Sequence, residues 1–442
     1  MKILTRVART IQQVLGSIAE QTALALPLIK RRRKFSRSSL AQMMVLGFLE
    51  KPHPSSADLA RMASHCGCDV TPQAIEQRMT ADLAGFLEAL FLQAVQQRLA
   101  VATALAPMLE RFKAVNLLDS TTVCLPDELA ERFAGCGGSY DAGRAAVKFQ
   151  VRLDLRSGAI NLWRLEPGRQ TDQGSTAQSE DLVAGSLQIT DQGYFHIKTL
   201  VAIEEAQAFW LSRLPMSTEI CWPDGRVVEQ IADLFEGTER VVDRRLLLGK
   251  TAQHPCRVVV WRMPQEVADR RRQKLIATAR QKGNPLPTPA RLRWCDWGIY
   301  LTNVPAEKLS VAEIGVLYRA RWQIELLFKR WKSQGGIAEL KGTTLTRQLI
   351  GFWSSLLAVL MHQWLLQATG WGDRCCSAQK VWKVVAAEAD HLARALGSLG
   401  RLIREIRRLE SLVKKHARLD PRRKHPGTFQ LLNNPDLLGY NA

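Results

Sequence analysis

Length, composition and charge already limit what this protein can be. The chain has 442 residues, 46% of them hydrophobic, and a formal net charge of +19 at pH 7. We therefore expect two or three globular units. The nine cysteines are scattered and odd in number, which argues against a closed disulfide framework and for a reducing compartment such as the cytoplasm. The charge favours DNA or RNA, because lysine and arginine release counterions from a phosphate backbone; a solvated basic face or anionic lipid is the alternative.

Residues 1–105 have a helical pattern. Ser55–Ser64 and Thr71–Thr80 predict two short helices around a turn, with Pro72 at the first position of the second helix. The pair resembles a helix-turn-helix that could dock in a major groove, although short helix pairs also occur in many all-helical domains. His65–Cys68 is the closest approach to a zinc motif, but no second ligand pair follows at zinc-finger spacing.

From residue 110 to 215 the pattern changes to short β-strands. Arg156-Ser157-Gly158 predicts a hairpin turn, and Asp154 just before it is interpreted as a turn residue. Gly135–Gly138 lacks the Gly-Lys-Ser/Thr ending of a P-loop, so no ATP site is expected there. The predicted strands are Ala114–Cys124, Phe149–Leu155, Ala159–Leu165 and Phe209–Leu214.

Two aspartates in this region are candidate site residues. Asp119 ends the apolar run Ala114–Leu118, which predicts a buried strand that delivers a carboxylate at its end. Asp191 precedes Gly193, which permits a tight turn just after the acid. A capping or turn aspartate is the alternative for each of them.

The segment from Asp191 to Glu325 is too long for a simple crossover and predicts an inserted subdomain. Val258–Arg262 and Trp297–Thr302 are predicted strands, separated by a charged helical stretch at Val267–Lys282 and a proline-bearing loop. Further on, Leu349–Leu366 is rich in apolar residues but also contains serine, histidine and glutamine. We expect this segment to be a buried core helix rather than a membrane span.

Four polar side chains recur along one predicted helix, at the spacing Tyr-(2)-Arg-(3)-Glu-(6)-Lys. An apolar face adjoins them, so the polar stripe can line a cleft. Ordinary ion pairing on a solvated helix is the alternative. The polar residues are Tyr318, Arg321, Glu325 and Lys332, and the apolar ones are Ile324, Leu327, Phe328 and Trp331.

This spacing resembles the signature of insertion-sequence transposases of the DDE class, in the subgroup called the IS-four family. The match is complete at all four positions. The resemblance implies that Asp119, Asp191 and Glu325 are catalytic and hold Mg²⁺ or Mn²⁺, because oxygen ligands suit these ions and two of them can serve phosphoryl transfer. Family members usually carry Arg where this chain has Gln192.

The resemblance also implies the fold. We expect an α+β protein with an RNase H-like mixed sheet, flanking helices and a β-rich insertion, plus helical N-terminal and C-terminal regions. The expected divisions are 1–105 for DNA binding, 106–215 for the first part of the catalytic core, 216–305 for the insertion, 306–370 for the second part of the core, and 371–442 for a basic helical region that contacts DNA or dimerises.

Roles at the site follow from the same resemblance. Tyr318, Arg321 and Lys332 would contact phosphates near the cleaved end. Trp297 would stack on a base flipped from the transposon end, although Trp294 competes for this role and packing in a small sheet is the alternative for either.

The implied function is cut-and-paste transposition. The enzyme would bind terminal inverted repeats in double-stranded DNA, cleave a strand at each end and join the freed 3′-hydroxyl to target DNA, as a homodimer in the synaptic complex and away from membranes. A DNA-binding transposase remnant or inhibitor, and a metal-dependent nuclease without strand transfer, are the alternatives.

Overall fold

The computed structural model describes residues 2–24, 35–99, 106–137, 144–236, 238–373, 375–420 and 426–438. These residues form two compact units. Some residues of the predicted regions lie outside the described residues: Gly138 of the glycine loop, residues 25–34 and 100–105 of the N-terminal region, and residues 374, 421–425 and 439–442 of the C-terminal region. The first unit contains Met1–Leu105, Asp119–Gln170 and Gln323–Arg422, and the second contains Ala106–Leu118, Thr171–Trp322 and Arg423–Ala442.

Helices dominate the first unit, and strands are more frequent in the second. The α-helices are α1 Lys2–Gln13, α2 Ala19–Leu24, α3 Arg37–Glu50, α4 Ser56–His65, α5 Pro72–Glu76, α6 Ala81–Ala94, α7 Pro107–Glu110, α8 Ile197–Glu205, α9 Gln265–Gln281, α10 Pro289–Arg293, α11 Val311–Ala320, α12 Trp322–Ser333, α13 Leu345–Thr369, α14 Ala378–Ala387, α15 Ala389–Ala395, α16 Leu399–His416 and α17 Thr428–Asn433. The strands are β1 Val115–Leu125, β2 Ala145–Asp154, β3 Ile160–Pro167, β4 Leu187–Thr190, β5 Phe209–Arg213, β6 Ile220–Cys221, β7 Val241–Leu248, β8 His254–Arg262 and β9 Trp297–Thr302.

The strands belong to one mixed sheet with the order β3-β2-β1-β4-β5-β9-β8-β7-β6. In the second unit β1 pairs with β4, and β4 with β5, in parallel, whereas β5 and the strands from β6 to β9 pair antiparallel. The expected α+β fold with a mixed sheet and flanking helices is therefore confirmed. All six strands predicted from the sequence are present, and β4, β6 and β7 were not predicted.

Helix α13 is the central core helix of the first unit. It is apolar and long enough to cross a membrane by composition, but 89% of its most apolar stretch is buried inside the protein. Its buried glutamines hold the β2–β3 turn, because Gln363 Nε2 donates to Gly158 O at 2.6 Å and Gln367 Nε2 donates to Ser157 O at 3.2 Å. The prediction of a buried core helix is confirmed.

The turn between β2 and β3 depends on Gly158. Asp154 accepts hydrogen bonds from the backbone N–H of Arg156 and from the Ser157 hydroxyl, which confirms its interpretation as a turn residue. Gly158 has φ +70°, and a Cβ built there would lie 2.4 Å from the ring of Trp371. The position therefore combines left-handed backbone with a closely packed neighbour.

Gly158→Ala should destabilise the first unit by about 3 kcal/mol, because left-handed strain adds to overpacking against Trp371. The measurement is the free energy of unfolding from denaturant titration. Gly67→Ala is the matched control, since Gly67 has φ +80° with nothing within 4 Å of its added Cβ, and it should cost only about 1 kcal/mol. Equal losses for the two variants would contradict the packing argument.

The predicted helix pair near the N-terminus is present, but its second helix is shorter than expected. Ser55 caps α4, and Thr71 caps α5 with Pro72 at its start. Helix α5 ends at Glu76 instead of continuing to Thr80. The reason is that the Thr80 hydroxyl accepts the N–H of Leu83 and so begins α6.

The basic C-terminal helix α16 uses its apolar side within its own unit. Leu402, Ile406, Leu409 and Val413 are each 1% exposed or less. This side is therefore unavailable for pairing with a second copy. The opposite side carries arginine and lysine side chains.

Candidate active site

Asp119 lies in the middle of β1. The four residues before it are buried and pair in parallel with β4, the last pair being Leu118 with Thr190. The Asp119 carboxylate is partly exposed and accepts the N–H of Ser120 at 2.8 Å. The strand predicted at Ala114–Cys124 is present with nearly these bounds, but Asp119 lies within β1 instead of at its end, because the following β-branched residues favour extended backbone and alternate ones among them are buried.

Glu325 and Lys332 lie on α12 in the same unit as Asp119. The apolar side of α12 is buried, and Trp331 stacks on Trp163 of β3 with ring centroids 4.2 Å apart. Lys332 Nζ donates to the backbone oxygen of Thr122 at 2.9 Å, which attaches α12 to β1 three residues after Asp119. Burial lowers the pKa of Lys332 below its usual value.

Asp191 immediately follows β4 in the second unit. It caps a short 3₁₀ turn, and its Oδ1 accepts the N–H of Gly193 at 2.6 Å. A Cβ built at Gly193 would lie 3.7 Å from Asp191 Oδ1 and 3.8 Å from Asp172 Oδ2. A second carboxylate, Asp172, therefore also lies near Gly193, and nothing in the linear spacing predicted this.

Tyr318 and Arg321 lie near Asp191 in the second unit. The Tyr318 ring is 5.0 Å from the ring of Tyr300, and the Arg321 guanidinium is 6.0 Å from the Tyr318 ring centroid. Burial raises the pKa of Tyr318, the positive charges of Arg321 and Arg213 oppose the rise, and the charge of Asp191 adds to it. Tyr318 therefore stays protonated at neutral pH and can donate a hydrogen bond.

Arg213 is a cation of this group that the sequence analysis missed. It ends β5, where it pairs with Tyr300 of β9. The parallel register of β4 and β5 pairs Ile189 with Leu211, so Arg213 lies level with Asp191. A lone arginine at a strand end carries no pattern of its own, so only the register between strands could identify it.

The sequence predicted that the four signature residues lie on a single helix. In the structure they are divided between two helices. Helix α11 ends at Ala320 and α12 begins at Trp322. At Arg321 the N–H donates to Tyr318 O at 3.2 Å, a tighter bond from residue i to i−3 that interrupts the α-helical pattern. Tyr318 and Arg321 therefore belong to the second unit, and Glu325 and Lys332 to the first.

Trp297 begins β9 and is half-buried. Its ring centroid lies 5.2 Å from that of Phe235, and the Arg262 guanidinium is 5.6 Å from it. Trp294 is also partly buried against the core of the second unit. Both side chains are thus partly buried against neighbouring residues of the second unit, Trp297 at the start of β9 and Trp294 in the 3₁₀ turn before it.

The family model for the transposase DDE domain matches residues 110–361, more than half of the chain. The chain belongs to the DDE transposases. The transposase for insertion sequence element IS231E of Bacillus thuringiensis subsp. finitimus is 26% identical to it, over 95% of this chain and 93% of the relative. For the IS231B transposase of Bacillus thuringiensis subsp. berliner the identity is 25%, over 94% and 92%. The transposase for IS1151 of Clostridium perfringens is 23% identical over 65% of each.

These matches confirm the resemblance that the signature residues indicated. They also show that the protein is a transposase of the insertion-sequence type. Enzymes of the family bind DNA and generally use divalent metal ions. In the described parts of this transposase no three His, Cys, Asp or Glu side chains form a metal-binding cluster. The candidate acids nevertheless fit a hard cation in kind, because they are partly exposed carboxylates.

The cysteines near His65 offer a poorer metal site. Burial raises the pKa of Cys66 to about 12, which disfavours the thiolate form in which cysteine binds zinc. All nine cysteines of this transposase are free thiols.

Proposed function

We propose that this transposase binds the terminal inverted repeats of its element, cleaves a strand at each end and joins the freed 3′-hydroxyl to target DNA. Asp119, Asp191 and Glu325 are the proposed catalytic residues. The protein acts as a homodimer when two ends are held together, in the cytoplasm and on nucleoid DNA. A catalytically active species with only one subunit would contradict the dimer.

One observation carries the assignment of the acids. Strands β1 and β4 are parallel neighbours, and Leu118 and Thr190 are their last paired residues. The next residue is an aspartate in each case: Asp119 after Leu118, and Asp191 after Thr190. The parallel pairing of these strands ends here, at the side where ligands of α/β sheets bind, and the family match covers both strands. Metal-dependent phosphoryl transfer needs oxygen ligands for its ions, and an aspartate after the last paired residue of each strand can supply them.

Glu325 is the third proposed ligand. Its helix is fixed to the first unit by the buried apolar side of α12 and by the bond from Lys332 to Thr122. The proposed metal is Mg²⁺, with Mn²⁺ as substitute. When bound, a pair of such ions activates the attacking hydroxyl and stabilises the leaving oxygen. The protein's own part is to supply the three carboxylates, each from a strand, turn or helix of its own unit.

Tyr318, Arg321 and Lys332 are the proposed contacts to phosphates at the cleaved end. Tyr318 is kept neutral by burial, so it donates to a phosphate oxygen without repelling it. Arg321 offers a planar fork suited to two phosphate oxygens. Arg213 adds a further cation beside Tyr318 and strengthens the attraction for the anionic backbone.

Trp297 is proposed to stack on a flipped base during hairpin formation. A base can reach the ring face only if the contact with Phe235 or Arg262 opens. Because alanine offers no ring on which a base can stack, we expect Trp297→Ala to lower the yield of hairpinned ends several-fold. The measurement is hairpin yield on a denaturing gel, with Trp294→Ala as the matched control. Wild-type hairpin yield in Trp297→Ala, or a loss confined to Trp294→Ala, would contradict the assignment.

Product analysis separates the proposed function from its alternatives. Purified protein is incubated with a duplex that carries its element's end and with a supercoiled plasmid, in Mg²⁺, and the joined products are sequenced. A transposase yields end-to-plasmid junctions in which the 3′ end of the element is covalently joined. A nuclease yields nicks without junctions, and a DNA-binding remnant yields neither while still retarding the duplex in a gel.

A further inference from the structure

Helices α9 and α10 form an addition to the sheet of the second unit. They lie in the chain between β8 and β9, which are adjacent antiparallel strands. Such neighbours need only a two-residue turn, so a connection of two helices is more than the sheet requires. We call residues 265–293 the basic arm.

Two arginines on the inner side of the basic arm hold it against its own unit. Arg271 Nη1 donates to the backbone oxygen of Trp297 at 3.1 Å. Arg272 donates to Asp269 at 2.6 Å and to the backbone oxygen of Leu292 at 3.2 Å, and it also pairs with Asp296. These bonds fix α9 relative to α10 and to the start of β9, so the arm is a preorganised surface.

The outer side of the basic arm carries cationic side chains that are not engaged in polar contacts within the described part of the protein. Each is exposed, and none has a side-chain hydrogen bond or ion pair with another residue of the described ranges. Of the arm's two acids, Asp269 is already paired with Arg272. The outward cations are Arg270, Lys274, Arg280, Lys282, Arg291 and Arg293.

We propose that the basic arm binds the phosphates of double-stranded DNA without reading its sequence. The inference rests on the proposed function, since it takes DNA to be the substrate. Long cationic side chains on a rigid surface neutralise phosphates and release counterions. The arm contains no aromatic residue, which disfavours a single strand that would stack its bases.

The test is the salt dependence of DNA binding. The triple variant Arg270→Ala, Lys274→Ala, Arg280→Ala is compared with the wild-type protein on a duplex with the element's own end and on an unrelated duplex of equal length. The slope of log K against log salt concentration should fall by about 3 units on both duplexes, about one for each lost phosphate contact.

Matched variants separate charge from shape. Arg270→Lys with Arg280→Lys keeps the charges and should keep the slope. Leu286→Ala alters the exposed apolar tip of the arm, which is 60% exposed, without changing its charge, and it should also keep the slope. Arg291→Ala with Arg293→Ala gives an independent pair on α10, and the slope should fall by about 2 units.

An unchanged slope in both alanine variants would overturn the inference, and so would a loss confined to the element's own end, which would indicate sequence reading. Loss of binding in Leu286→Ala alone would indicate an apolar contact instead of a phosphate surface. A wild-type protein that neither binds nor nicks DNA at low salt would refute the proposed function itself. Metal-dependent nicking by wild type with unchanged slopes in the variants would refute the arm alone.

Discussion

Glu325→Gln should abolish metal-dependent strand cleavage while the protein stays folded. The amide has nearly the same shape but lacks the negative charge that a divalent ion requires, so we expect the single-turnover cleavage rate to fall by about 10³-fold, or about 4 kcal/mol of barrier. The measurement is the rate of nicking of a labelled end duplex in Mg²⁺. Folding should be unaffected, because Glu325 is partly exposed and the buried side of α12 is unchanged.

Glu410→Gln is the matched control for this variant. Glu410 is a helical glutamate in the first unit, where it pairs with Lys414 on α16. Its substitution removes the same charge away from the proposed site and should leave the cleavage rate within about twofold of wild type. Cleavage by Glu325→Gln at the rate of Glu410→Gln would exclude Glu325 as a metal ligand.

Arg321→Lys should lower strand transfer by about 10²-fold even though the positive charge remains. Lysine cannot form two parallel hydrogen bonds to a phosphate, and Arg321 occupies the tight turn between α11 and α12 beside the Tyr318 ring. The measurement is the yield of joined product under single-turnover conditions, together with the affinity for the end duplex.

Arg319→Lys serves as the control for Arg321→Lys. Arg319 is an exposed residue of α11 only two positions earlier. It should tolerate lysine with little change in joined product. Equal behaviour of the two variants would mean that charge alone matters at this turn, which would contradict bidentate phosphate contact by Arg321.

Local patterns predicted much of the fold. The strand at Trp297–Thr302 has the bounds expected from its sequence, and the four apolar residues expected on the inner side of α12 are the buried ones. Each of these features depends on the periodicity of a single element. The same holds for the β2–β3 turn, where Asp154 and Gly158 provide a strong local signal.

The features of the fold that the sequence did not predict depend on contacts between elements. Strand β4 has only four residues, and β7 contains two adjacent arginines, Arg244 and Arg245, that interrupt an alternating pattern. The interruption at Arg321 is set by one backbone hydrogen bond, which leaves no trace in residue spacing.

The site shows the same division. Asp119, Asp191 and the signature residues could be proposed from the sequence because each has a distinctive neighbourhood in the chain. Arg213 and Asp172 carry no such pattern: the register of β5 brings Arg213 level with Asp191, and the loop after β3 brings Asp172 near Gly193. Their discovery required the arrangement of strands in space.

The most direct test of the account follows a labelled duplex with the element's own end on a denaturing gel, in Mg²⁺ and in EDTA. Wild type is compared with Asp119→Asn, Asp191→Asn and Glu325→Gln, and with Asp224→Asn, an exposed turn acid, as control. We predict nicked and joined products only in Mg²⁺, present for wild type and Asp224→Asn and absent for the other three. Metal-independent products, or products from any of those three variants at wild-type rate, would contradict a site built from these carboxylates.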